Sequence, residues 1–383
     1  MTPVVVSHAL LACCLASLAY AAFTIVRVAI FRMPDRPPPG FAPPVTILKP
    51  LRGLEASLED CLRSFCEQDY SDFQVVFGVE DESDAAVPVV RRLIAEYSER
   101  DLSLVANDRL VGPNRKASNL ANMQSAAKHD ILVVADSDVR VTPDYLRSVV
   151  APFEEPGVGA ATCLYKAMPL GGLSSVLGAM FINDWFLPSV VAMLAFEKLR
   201  FCFGATMAVR RDTLESVGGF SALAPYLADD YMLGQLVSAR GQAVRLAPFV
   251  VVNVVHEPDT ATLFRHELRW ARTVRTVRPV GFALSFLTDT LPLTLLYAAA
   301  APGAPLAPAL LGAALLLRAL IDAVVRRRFA VPGPCRPWLV PLRDLLSCVV
   351  RIGSFLGRDV EWRTQEFSVH PSGRLSVKKR DTP

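Results

Sequence analysis

Between Val4 and Val26 the chain carries no Asp, Glu, Lys or Arg, a run that matches the ~20 residues a helix needs to cross a bilayer. In hydrocarbon every backbone polar group must be satisfied within the segment, so such a run can only be a helix. No basic residue precedes it, as a cleaved leader would require, and Arg27, Arg32 and Arg36 follow it. The positive-inside rule therefore makes residues 1–32 a retained anchor and leaves the next segment in the cytoplasm. Apolar segments recur near 280–301, 305–325 and 338–356, separated by Pro302-Gly303 and by Arg326-Arg327-Arg328. The first two read as an outward and returning hairpin with the Arg triplet on the cytoplasmic side. The third carries Arg343, Asp344 and Arg351 and stays open between a span and a re-entrant or interfacial helix. These segments account for an apolar share of 52% and a mean hydropathy of +0.34.

The middle of the chain has a different grammar. After a Pro-rich linker at 33–44, too broken for helix or sheet, apolar strand candidates (Val45–Leu48, Gln74–Val79, Leu102–Val105, Ile131–Ala135) alternate with helical patterns near Leu54–Gln68, Ala85–Glu99 and Ser118–Ala127. That alternation predicts an α/β domain with a mainly parallel sheet and helices on both faces. The eight cysteines form no CxxC pair and no Cys/His cluster with zinc spacing, which predicts neither a structural metal nor a disulfide framework. A net charge of +3, with no basic stripe interleaved with aromatics, argues against a nucleic-acid partner.

In a parallel α/β sheet, ligands sit beyond the carboxyl ends of the strands. The first strand ends in Lys49-Pro50-Leu51-Arg52-Gly53, the second in Glu80-Asp81-Glu82-Ser83-Asp84 and the fourth in Asp136-Ser137-Asp138. Read as extended chain, Asp136 and Asp138 face one side about 6.5 Å apart, a donor set suited to a hard divalent ion that shares its coordination with phosphates. Thr142 and Pro143 are expected to start the following helix as N-cap and first residue. Lys116, at the start of a helix after the turn Gly112-Pro113-Asn114, would favour a phosphate. Further on come Asp229-Asp230 before an apolar helical stretch, and His266-Glu267-Leu268-Arg269-Trp270, whose helical pitch puts His266, Arg269 and Trp270 on one face.

The order Asp81, Asp136-Ser137-Asp138, Asp230 in ADDY and then HELRW, a variant of Gln/Arg-x-x-Arg-Trp, resembles the family 2 and family 21 glycosyltransferases of GT-A fold. Further stretches carrying the likeness are ILKPLRG (47–53), LRSFCEQDY (62–70), KASNL (116–120), FINDWF (181–186), CFGAT (202–206), LADDYMLG (227–234) and HELRWARTVR (266–275). Within family 21 the likeness is to bacterial hopanoid-biosynthesis glycosyltransferases and to ceramide glucosyltransferases. The resemblance implies a GT-A domain, Rossmann-like, over 45–279, with membrane or re-entrant helices over 280–360 and a cytoplasmic tail at 361–383. It implies that Asp81 binds the uridine, that Asp136 and Asp138 hold the diphosphate through Mg²⁺ or Mn²⁺, and that Asp230 is the general base. Arg269 and Trp270 would hold the leaving diphosphate and shape the acceptor site; His266 departs from the commoner Gln or Arg at its position.

The implied activity is inverting transfer of a sugar from a UDP-sugar to a membrane-lipid hydroxyl, foremost N-acetylglucosamine to bacteriohopanetetrol, alternatively glucose to ceramide. The implied location is a bacterial inner membrane, multi-pass, with the catalytic domain cytoplasmic. Direct displacement leaves a doubly charged UDP, so the metal, Arg269 and Lys116 would stabilise charge that grows in the transition state. Asp230, taken at the ordinary aspartate value of ~4, needs only position to accept the hydroxyl proton. The segment 170–196, with Gly and Pro breaks and Trp185, is expected to form interfacial helices that admit the lipid. A polysaccharide synthase would need a wider set of spans for its pore, a transporter more spans still, and a non-catalytic scaffold would have no use for the intact acidic set.

Overall fold

The computed structural model describes residues 3–36, 40–357, 359–362, 365–370 and 372–377; residues 1–2, linker residues 37–39, residue 358 and tail residues 363–364, 371 and 378–383 lie outside the described residues. The chain divides into two compact units, one of residues 1–32, 166–197 and 255–366, the other of residues 33–165, 198–254 and 367–383.

The second unit is built on an eight-stranded sheet: β1 (Val45–Pro50), β2 (Phe73–Val79), β3 (Asp101–Ala106), β4 (Ile131–Ala135), β5 (Val139–Arg140), β6 (Val158–Pro169), β7 (Thr206–Arg210) and β8 (Ala243–Val255), in the order β3-β2-β1-β4-β7-β6-β8-β5. The ends of β6 and β8 belong to the first unit. The four strands read from the sequence pair in parallel as β3-β2-β1-β4. β7 then runs antiparallel to both β4 and β6, and β5 antiparallel to β8, which makes the sheet mixed. β2 and β4 are buried along their whole length, as parallel strands covered on both faces must be. The registers Pro50 to Gly78 and Leu48 to Val134 put the residues after β1, β2 and β4 along one edge.

Two positions differ from the sequence reading. The helix after β5 starts at Tyr145 with Asp144 as N-cap, and Thr142 donates its hydroxyl to the Asp144 carboxylate (2.5 Å) without capping the helix itself. Asp136-Ser137-Asp138 is a turn between β4 and β5, closed by the Val139 N–H on the Asp136 carbonyl (3.3 Å), so the two acids do not share a strand face.

The first unit is mainly helical. Among the described residues three helices are long and apolar enough to cross a membrane, Val4–Ile30, Leu173–Met193 and Ala307–Phe329, and the pair Pro279–Thr288 and Thr290–Ala300, bent by 66°, makes a possible fourth. Val4–Ile30 packs on Thr290–Ala300 and Ala307–Phe329, with the Ser17 hydroxyl bonding Thr290 Oγ1 (2.9 Å). Segment 170–196 contributes one broken helix, Leu173–Phe181, a wide turn at Ile182–Phe186 and Leu187–Met193, mostly buried inside the unit. The 16-residue helix Val340–Phe355 is too short to span. Its charges are neutralised in place: Arg343 pairs with Glu267, Asp344 with Arg318 and Arg351 with Asp289. An unpaired ion in such surroundings is costly, which is why each has a bonded partner.

Candidate functional site

The site in the sheet unit starts from a helix cap. Asn114 caps Arg115–Met123, its side-chain oxygen accepting the Ala117 N–H (2.9 Å), while its amide donates to the Tyr226 carbonyl (2.9 Å) and to Asp229 Oδ1 (3.4 Å). That cap ties the start of one helix to the start of another, Asp229–Ala239, and brings their first residues together. Lys116, two residues past the cap, reaches Asp136 Oδ1 at 2.5 Å and Asp229 Oδ2 at 3.7 Å. Both of these partners are carboxylates. Burial works against its charge, but Asp136, Asp229 and Asp230 outweigh burial and hold the ammonium above its usual value.

Asp230 is the next member. Its Oδ1 accepts the N–H of Tyr231 (2.7 Å). A Cβ at Gly204 would lie 3.1 Å from Asp230 Oδ2 and 3.9 Å from Asp136 Oδ2, so the glycine of the CFGAT stretch keeps open the space onto which both carboxylates face. Burial, then the Asp229 charge, pushes the Asp230 carboxyl up to about 7 against the pull of Lys116. This corrects the ordinary value of ~4 assumed from sequence. A carboxylate that titrates near neutrality is better matched to proton transfer than one at ~4.

Asp138 lies across the turn. Its carbonyl accepts the Val254 N–H (2.8 Å) and Asn253 bonds its carboxyl, while Oδ1 is buried without a hydrogen-bond partner. Burial, then Asp136 and Glu55, raises this group to about 7. Beneath the turn stands a residue that sequence reasoning left without a role, Lys49: fully buried, with its ammonium 2.5 Å from the Asp136 carbonyl and 3.9 Å from the Phe65 ring centre. Burial lowers it to about 8 against the opposing pull of Cys61, Asp136, Asp138 and Glu55. A lysine near the end of a mostly apolar strand carries no signal by itself; its burial and its partners reveal it.

The donor set fits a divalent cation. Two carboxylates on one turn, one with an orphaned buried oxygen, offer hard oxygen ligands. Among the described residues no group of three or more His, Cys, Asp or Glu is arranged to hold a metal, so further ligands would have to come from a bound molecule or water. Because a ligating carboxylate must be ionised, Mn²⁺ affinity is expected to rise with pH through about 7, with proton release measurable by calorimetry in two buffers. The metal-free fold should respond in the opposite sense. The folded-state value of Asp138 exceeds the unfolded ~3.9, so its stabilising contribution is complete below pH ~4 and is lost as pH rises through about 7.

Asp81 is exposed on the loop after β2, at the same edge, its carboxylate accepting the N–H of Ser83 (2.7 Å) and the Ser83 hydroxyl, which hold it below its usual range. His266, Arg269 and Trp270 fall in the helical unit, on Thr260–Val277. There the rings of His266 and Trp270 are 4.9 Å apart, and Trp270 stacks on Phe181 at 5.8 Å. The structure therefore gathers Lys116, Asp136, Asp138 and Asp230 in one unit and the HELRW residues in the other.

Residues 9–375 match the model for glycosyl transferase family 21. A ceramide glucosyltransferase of Komagataella phaffii is 40% identical over 112 residues, 28% of this chain and 22% of that protein. Ceramide glucosyltransferase 1 of Caenorhabditis elegans is 22% identical over 231 residues, 60% of this chain and 49% of the relative. The chain thus spans at most about half the length of these two relatives. Among solved structures, a mannosyltransferase of Pyrobaculum calidifontis in complex with GDP-Man and Mn²⁺ superposes with a TM-score of 0.59 at 23% identity, covering 92% of this chain and 99% of that one. This likeness shows the GT-A fold.

Proposed function

Because the chain belongs to glycosyl transferase family 21, we propose that it is a membrane-bound, inverting glycosyltransferase that moves a hexose from a UDP-sugar to a lipid hydroxyl, with glucose and ceramide as the pair its named relatives favour. The sequence reading put N-acetylglucosamine and bacteriohopanetetrol first; the relatives' names support the alternative better. The observation that carries the proposal is the facing of Asp230 Oδ2 and Asp136 Oδ2 across Gly204, with Lys116 bonded to Asp136.

The roles follow from charge and reach. Asp136 and Asp138 would hold Mg²⁺ or Mn²⁺, which when bound supplies positive charge to the leaving diphosphate. Lys116, bonded to Asp136 and close to Asp229, fixes the first carboxylate and limits the repulsion among the acids. Lys49 anchors the turn from below through the Asp136 carbonyl. Asp230, near pH 7 in its titration, takes the proton from the lipid hydroxyl as its oxygen attacks the anomeric carbon and the bond to UDP breaks. A single displacement inverts that carbon. Asp81 is assigned to the uridine, and Arg269 and Trp270 to the leaving diphosphate and the acceptor site. The broken helix at 173–193 is the proposed route for the lipid.

The test is to incubate the protein in nanodiscs with UDP-glucose or UDP-N-acetylglucosamine against ceramide or bacteriohopanetetrol and to identify products by mass spectrometry. Glucosylceramide as the dominant product supports the proposal; N-acetylglucosaminyl bacteriohopanetetrol restores the hopanoid reading, and no product from any pair removes lipid glycosylation.

Orientation has its own expected result. Arg27, Arg32, Arg36 and Arg326–Arg328 flank the proposed spans, so a cysteine placed at the exposed Glu99 should resist an impermeant thiol reagent in intact cells and react in opened ones. Labelling in intact cells would reverse the topology.

A further inference from the structure

His266 has its Nδ1 2.8 Å from Oε1 of Glu257. Glu257 is only 7% exposed, and its backbone is held at both ends by Ser175: the Ser175 hydroxyl oxygen accepts the Glu257 N–H (2.9 Å) and its hydrogen goes to the Glu257 carbonyl (3.3 Å). The helix bearing His266 is fixed as well, since the adjacent Glu267 is clamped by both guanidinium nitrogens of buried Arg343 (2.6 and 2.7 Å), which also donates to the Leu177 carbonyl (3.0 Å). The imidazole and its carboxylate are therefore set on rigid supports. An ordinary surface His–Glu pair has no need of a buried acid locked from behind.

A carboxylate on Nδ1 keeps the hydrogen there and leaves the neutral ring's lone pair on Nε2. Nε2 makes no hydrogen bond to any described residue, and the side chain is 41% exposed. Beside it runs a row of rings: Trp270 at 4.9 Å from His266, Phe181 at 5.8 Å from Trp270, Trp185 at 5.0 Å from Phe181. An aromatic floor that ends in one outward hydrogen-bond acceptor, in the unit that holds the candidate spans, fits an amphipathic molecule with a hydroxyl at its polar end.

We propose that His266, oriented by Glu257, accepts a hydrogen bond through Nε2 from a headgroup hydroxyl of the lipid acceptor, with Trp270 as the floor beneath it. Glu257 is a positioning residue that fixes the tautomer. The inference rests on the lipid-acceptor reading above and adds to it the contact that selects hydroxylated headgroups. His266→Phe keeps a ring on Trp270 and removes the acceptor; His266→Gln removes the ring and supplies an amide oxygen.

The experiment measures binding without turnover. Full-length protein in nanodiscs is titrated with brominated-chain ceramide and with its 1-deoxy and 3-deoxy analogues, read by tryptophan quenching, while UDP affinity is measured by calorimetry. The wild type should prefer ceramide over one deoxy analogue by about tenfold, the worth of one hydrogen bond. His266→Phe should erase that preference, Glu257→Gln should reduce it and His266→Gln should keep most of it, with UDP affinity unchanged throughout. A preference that persists in His266→Phe, or UDP affinity that falls in parallel with lipid affinity, overturns the inference. Failure of the wild type to bind ceramide at all would instead remove the lipid-acceptor reading on which it rests.

Discussion

Replacing Asp230 by asparagine is expected to lower turnover by about 10²–10⁴-fold, the usual contribution of a general base, with UDP binding preserved. The substitution keeps the side chain's size and its acceptor oxygen for the Tyr231 N–H (2.7 Å), so the first turn of its helix survives. What disappears is the site for the proton. Asp229 is the control, because its Oδ1 accepts from Asn114 (3.4 Å) and its Oδ2 is ion-paired with Lys116 (3.7 Å). Asp229→Asn should loosen the cap-to-cap contact and lower thermal stability with a smaller effect on rate. Transfer rates and UDP calorimetry on both variants check the assignment; a dead Asp229→Asn beside an active Asp230→Asn would name the other carboxylate as the base.

The second large effect is expected at Asp138. Asp138→Ala removes the one buried carboxylate oxygen of the turn that has no hydrogen-bond partner, while Val254 still bonds the backbone carbonyl (2.8 Å). Changes one layer further from a metal already cost about 10–100-fold in affinity, so loss of a direct ligand should abolish Mn²⁺-dependent UDP binding and transfer at working concentrations. Asp136→Ala is expected to do the same with an added loss of stability, because it strips Lys116 of its 2.5 Å partner and leaves a half-buried cation under-compensated. Calorimetry of UDP with and without Mn²⁺ decides; wild-type metal dependence in Asp138→Ala would remove it from the metal site.

The parallel half of the sheet was legible because its strands are spelled as mostly apolar runs, β2 and β4 buried throughout, and their spacing leaves room for helices. β7 and β8 were missed: their antiparallel pairing depends on partners far along the chain, which local periodicity does not encode. Lys116, Asp136, Asp138 and Asp230 were found as separate strand-end and helix-start signals. Their meeting was not readable, since it depends on Asn114 reaching Tyr226 and Asp229 across more than a hundred residues. The strand-face argument for Asp136 and Asp138 failed because the chain turns after β4. Lys49 and Glu257 were missed because a single charged residue beside an apolar run carries no signal until its burial and partners are known. Arg343, Asp344 and Arg351 blurred the reading of the last helix for the complementary reason, their partners being Glu267, Arg318 and Asp289 on other helices.

A single displacement assisted by one carboxylate base fixes the anomeric configuration of the lipid product. UDP-glucose is α-linked at its anomeric carbon, so ¹³C-labelled donor transferred to ceramide by the protein in nanodiscs should give a product whose carbon–hydrogen coupling at that position reports the β configuration. An α-linked product would rule that step out, because one displacement from the face opposite the leaving UDP cannot retain the configuration.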